Sequence, residues 1–98
     1  MIAELLEAHL ASPFPAECRG QEVAGVDLIL LDADVAGLVS SHLACGGLTE
    51  SQRLMLDGCV SDADRVLPGL FGEAQRYFAR VRELACSVLQ SNDDPRAV

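Results

Sequence analysis

Lysine is missing from this sequence, and so is tryptophan. Without lysine there is no amine for a Schiff base and no lysine for a phosphate-binding P-loop. Aromatic residues make up only 4% of the chain, too few to build a stacking platform for nucleic-acid bases. Positive charge is scarce as well. Seven arginines face 15 acidic residues, for a formal net charge of −8. Holding phosphates needs clustered cations, so autonomous nucleic-acid binding is not expected. No unbroken run of about 18 apolar residues occurs, so no membrane span is expected. The first residues, MIAELLEAHLA, carry acids where a signal peptide needs bases. The expectation is a cytoplasmic protein whose four cysteines, Cys18, Cys45, Cys59 and Cys86, stay reduced. Abundant Ala, Gly, Leu and Arg, all with GC-rich codons, suggest a GC-rich bacterial source.

Apolar residues are what the chain has in quantity. They make up half of its 98 positions, and the mean hydropathy is +0.25. That is far too apolar for a disordered acidic tail, and 98 residues is the size of a single domain, taken here as 1–98. Charge is uneven: residues 1–47 hold seven acids and one base, residues 48–98 eight acids and six bases. The first half is therefore the expected seat of an acidic surface.

Ile2, Leu5, Leu6, His9 and Leu10 recur at helical spacing, so 2–11 reads as a short helix, stopped by Pro13 and Pro15. Residues 12–26 read as irregular or as a hairpin of Gln21–Val23 with Val26–Leu30. From Asp27 two readings stand. In one, Asp27 caps a helix over 27–44 that Gly46–Gly47 ends. Leu28, Leu31, Val35, Leu38, Val39 and Leu43 then share a wide apolar arc, with Ile29 and Ala36 at its margin. In the other, 26–31 is a strand. Locally, DLILLD resembles the strand that presents the phospho-acceptor Asp in response-regulator receiver domains. The resemblance ends there: no acidic pair precedes it, no Lys exists, and strands and helices do not alternate.

Thr49 opens the next helix, 49–67, with Gln52 completing a capping box. Its stripe is Met55, Leu56, Cys59, Val60, Ala63, Val66 and Leu67, and Pro68–Gly69 ends it. The last helix, 72–90, has a core stripe of Ala74, Tyr77, Phe78, Val81, Leu84, Ala85, Val88 and Leu89. Glu73, Arg76, Arg80, Glu83 and Ser87 lie opposite, in solvent. Residues 91–98 read as a polar tail. The expected fold is all-α: a small antiparallel bundle of three long helices plus a short N-terminal helix.

Few residues have the makings of a site. Asp32 falls inside the apolar arc of its helix, so it must find a donor there, Arg19 or Tyr77. His42 and Cys45, at i and i+3, could supply two metal ligands, but no Cys-x-x-Cys is present to complete the set. No metal or cofactor is expected. Cys59 reads as an inert core thiol and Cys86 as the most reactive one. Only His9 and His42 could act as histidine bases, and no nucleophile motif accompanies them, so no catalytic residue is assigned and an enzyme is not expected. Arg76, Arg80 and Arg82 flank Tyr77 and Phe78, but Arg76 and Arg80 have acidic neighbours, Glu73 and Glu83, and the three read as a solvated face.

The chain has more apolar side chains than one bundle needs: Leu30, Leu48, Leu54, Leu70 and Phe71 lie outside the stripes. The expected function is therefore a small protein–protein interaction module, self-associating as a homodimer or binding another protein. The interface candidates are Leu28, Ile29, Val35, Ala36 and Leu54. The alternatives are an acidic immunity or antitoxin-like neutraliser of a basic partner, and a His/Cys metal-binding or redox protein.

Overall fold

Proline and glycine divide the described residues into four helices and one hairpin. The computed structural model describes residues 1–92. Helix α1 covers Ile2–Ala11, and a 3-10 turn, Ala16–Cys18, follows the two prolines. Strands β1 (Glu22–Val23) and β2 (Val26–Asp27) pair antiparallel, Glu22 opposite Asp27 and Val23 opposite Val26. Three longer helices complete the fold: α2 (Leu28–Cys45), α3 (Glu50–Val66) and α4 (Gly72–Asn92), with a second 3-10 turn at Leu67–Gly69. Helix dominates, as the periodicity implies. Both readings of 26–31 hold a part of the truth. Val26 and Asp27 close the hairpin, and the Asp27 carboxylate then accepts from the Leu30 backbone N–H at 3.1 Å to start α2. The polar tail is largely outside the described residues, and α4 runs on through its first two positions.

The local signals act as chemistry requires. Thr49 and Gln52 form the reciprocal capping box, with bonds of 3.0 and 3.1 Å. Gly46 ends α2 in the left-handed conformation, φ +77°, where its N–H reaches the His42 carbonyl at 2.9 Å. The hairpin turn is less well matched. Its central residues, Ala24 and Gly25, have φ of +52° and +81°, the signs a type I′ turn demands. Alanine pays a steric penalty of about 1–2 kcal/mol there. Ala24→Asn, which tolerates this conformation, should therefore stabilise the protein by about 0.5–1 kcal/mol, read as a higher urea midpoint at unchanged slope.

The core sits where α2, α3 and α4 meet, with α1 packed against α2 and α4. Phe78, Val81, Leu84 and Val88 of α4, Leu28, Val35 and Val39 of α2, and Leu56 and Val66 of α3 are fully enclosed. Leu6 and His9 are the buried residues of α1. The Cα body measures 42 × 26 × 17 Å. Its short dimension is less than two full helix diameters of about 10 Å, so each helix keeps one side in water.

Three expectations about the stripes need correction. Met55 and Leu43 lie at the margins of their arcs and are exposed. Leu70 is buried, because the Leu67–Gly69 turn folds it back under α4. Arg80 is half-buried rather than solvated: its guanidinium lies 5.6 Å from the Tyr77 ring centre, in cation–π range.

Candidate functional site

One carboxylate ties three helices together. Asp32 sits in the second turn of α2, inside the apolar arc, and is 19% exposed. A carboxylate so placed needs donors for both oxygens. It finds them far away in sequence. His9, near the end of α1, approaches Oδ1 through Nε2 at 2.7 Å, and the Tyr77 hydroxyl of α4 donates to Oδ2 at 2.8 Å. Because a carboxylate only accepts, His9 Nε2 must carry the proton.

Aromatic rings surround the pair. His9 and Tyr77 are 4.8 Å apart, ring centre to ring centre, and Phe14 meets both Tyr77 and Phe78 edge-on. The Phe14 ring comes from the Pro13–Pro15 segment, which the irregular connection folds over the cluster. Burial raises the Tyr77 phenol well above its ordinary range, and the hydrogen bond and negative charge of Asp32 push it further in the same direction. Tyr77 is the donor expected from the sequence; His9 is the one that the sequence did not point to. Its place with Leu6 on one face of α1 is the signal that could have found it.

The other positions are scattered. His42 is half-buried and Cys45 is exposed at the end of α2. Among the described residues, no three of His, Cys, Asp and Glu converge as a metal-holding group. Cys45, not Cys86, is the exposed thiol, since Cys86 is half-buried along α4. Leu28 and Val35, both expected at an interface, are core residues at 1% exposure, because they point along the inner side of α2. Ile29 and Leu54 are at the surface, 42% and 65% exposed, and Ala36 is half-buried.

Two surface recesses lie beside the hairpin. One, of about 310 Å³, is mostly apolar and lies between the hairpin and the start of α4, with Cys18, Val23, Leu28 and Leu70 in its wall and Phe71 on its rim. The other, of about 320 Å³, is lined by Glu22, Asp27, Asp34 and Asp62, with Arg65 as its one cation. Arg65 is bound to Asp62 at 2.6 Å.

Buried acids set the alkaline limit of the fold, and Cys59 and Tyr77 are the most strongly shifted. Burial, and then Asp34 and Asp62, push the Cys59 thiol from 9.0 up to about 11, and Tyr77 moves in the same direction from 10.0. Both therefore hold their protons more tightly in the folded chain than in the unfolded one. Stability is complete below pH 9, where neither form ionises, and falls as the pH rises through the folded-state values. Thermal melts followed by circular dichroism should show the midpoint dropping between about pH 9 and 11. Cys59→Ala should lessen the drop, leaving the contributions of Tyr77 and of Cys18, whose thiol burial also raises.

No family model matches this chain, and neither a curated protein nor a solved structure shows significant similarity to it.

Proposed function

We propose that this chain is a small, acidic, non-catalytic interaction module that works as a homodimer, built as an antiparallel bundle of α2, α3 and α4 with α1 laid across it. The observation that supports the reading is the outer face of α2. At 100° per residue, Ile29, Ala33, Ala36, Gly37, Ser40, Leu43 and Ala44 occupy one continuous side, and no charge interrupts it. Ile29 and Leu43 are well exposed there. On a chain of net charge −8 a bare, neutral strip is the surface across which two copies approach with least repulsion. Small residues between two large ones also let a second helix come close. A twofold arrangement, the commonest among soluble oligomers, would set α2 against its counterpart.

By length and composition α2 could also span a bilayer, with a mean hydropathy of 1.5 over Leu28–Cys45. Its hydropathy has a second source in the five core residues on its inner face. Asp32 and Asp34 argue further against a place in lipid. Sedimentation separates the cases. The wild type should run as a dimer at about 100 μM, well above a micromolar dissociation constant. Ile29→Glu, at the N-terminal end of the bare strip, should run as a monomer with an unchanged circular dichroism spectrum. A wild-type monomer at that concentration overturns the homodimer.

The acid-lined recess beside Asp34 favours a second reading, the neutraliser of a basic partner. Its four carboxylates against one paired arginine suit an incoming guanidinium or ammonium group. A salt-sensitive complex lost in Asp34→Asn but kept in Ile29→Glu would support it.

A further inference from the structure

The recess of about 320 Å³ between the hairpin, α2 and α3 holds more negative charge than it neutralises. Four carboxylates and one guanidinium line it, which leaves three negative charges uncompensated. The carboxylates do not converge. Among the described residues no three of them, with or without Cys59, come together as a metal-holding group, so a compact cation has no cage there. They fall into two pairs instead. Glu22 and Asp27 stand opposite each other in the hairpin. Asp34 and Asp62 lie on α2 and α3, and both act on the Cys59 thiol. Asp27 uses one oxygen as the N-cap of α2 and Asp62 one on Arg65, and the other oxygen of each remains to accept.

The spacing decides the shape of the occupant. Asp27 and Asp34 are seven residues apart, so the two pairs are separated by about 10 Å along α2. Leu30 and Leu31 lie in the interval, and Val26 adds to the apolar wall. Cys59 supplies an independent unmet group. It lines the recess at only 8% exposure, and its thiol has no hydrogen-bond partner among the described residues. Its sulfur can accept from an N–H. Charge at both ends, apolar surface in the middle and a buried acceptor at one end are the complement of an elongated dication with an apolar spacer. Four methylenes set two nitrogens roughly 6 Å apart, and a hydrogen bond of about 2.8 Å at each end brings the span close to the separation of the pairs.

We propose that this recess binds a free linear diamine of the 1,4-diaminobutane class. One ammonium sits between Glu22 and Asp27, the other at Asp34 and Asp62 with an N–H toward Cys59 Sγ, and the methylenes lie over Leu30 and Leu31. The neutraliser reading rests on the same recess; here the occupant is a small molecule rather than a basic side chain of a protein.

Calorimetric titration of the full chain with 1,4-diaminobutane at neutral pH tests this. Binding should saturate at one per chain, and the Cys59 Cβ resonance of carbon-13-labelled protein should shift along the same isotherm. Butylamine has the same chain but one charge, so it should bind about ten-fold more weakly or worse, the worth of one charge-assisted hydrogen bond. Asp34→Asn should weaken the diamine by a similar factor. Glu7→Gln makes the same change in net charge at an exposed position of α1 and should leave binding intact. Ile29→Glu should bind like the wild type, so the dimer surface can fail without this site failing. Equal affinity for butylamine would give the recess to a single basic side chain and overturn the diamine. Magnesium ions that bind as tightly, or a loss in Glu7→Gln equal to that in Asp34→Asn, would reduce the effect to net charge and overturn it too, as would heats that never saturate.

Discussion

Val81→Asp should leave no cooperative thermal transition at all. Val81 is fully buried at the centre of the face that α4 turns to the core. Its immediate neighbours along that face, Phe78, Leu84 and Ala85, are equally enclosed and offer no donor. A carboxylate there is either an unpaired charge or a proton-bearing acid without partners. The loss is about 4–5 kcal/mol or more, which consumes most of the stability of a small domain. The control is Arg76→Ala. Arg76 is solvent-exposed and paired with Glu73, one turn away at 2.6 Å, so its loss should stay within about 0.5 kcal/mol. Arg80 looks equivalent in sequence but does not serve as the control, since it stacks on Tyr77. Melting curves of the two variants that coincide would mean that the phase of α4 is wrong.

Asp32→Ala should be the next most damaging change, although it removes only a small polar side chain. It strands the His9 Nε2–H and the Tyr77 hydroxyl at once, both away from water. Each orphaned donor costs about 1–3 kcal/mol, giving an expected loss of about 2–5 kcal/mol in urea denaturation. An optical signature accompanies it. Tyr77 is the only tyrosine in a chain without tryptophan, so intrinsic emission reports on this one hydroxyl. Release from the quenching carboxylate should brighten it. Unchanged stability together with unchanged emission would show that the carboxylate does not hold these two donors.

The helices were legible because their signals are local. A capping box, a left-handed glycine and a 3.6-residue stripe all lie within a few positions of one another, and Thr49, Gln52, Gly46 and the α4 face follow from them. Asp32 was legible as a problem, a carboxylate in an apolar arc, and Tyr77 as one solution to it. His9 was not, because its partner is 23 positions away and no spacing rule links them. The same limit explains Leu70 and Met55. Whether a residue at the edge of a stripe is covered depends on how the next turn folds over it, and that is set by the tertiary arrangement. Leu28 and Val35 were misplaced for a related reason. A helix that is apolar on nearly every side gives no sequence cue to which side faces inward, and only the position of α3 and α4 divides α2 into a core face and a bare one.

The shared carboxylate also bears on how the fold comes apart. α1 contributes little apolar burial of its own: Leu6 and His9 are its only buried residues, with Ile2 and Leu5 partly covered. α4 carries seven core residues between Ala74 and Val88. Native-state hydrogen exchange should therefore divide into two levels. The amides of α1 would exchange through a partial opening in which the first helix lifts away and His9 leaves Asp32. Those around Phe78 and Val81 would exchange only when the whole chain unfolds. During the partial opening Asp32 still accepts from Tyr77, so the remaining three helices keep the bond that fixes α2 against α4 and can persist as a cooperative unit.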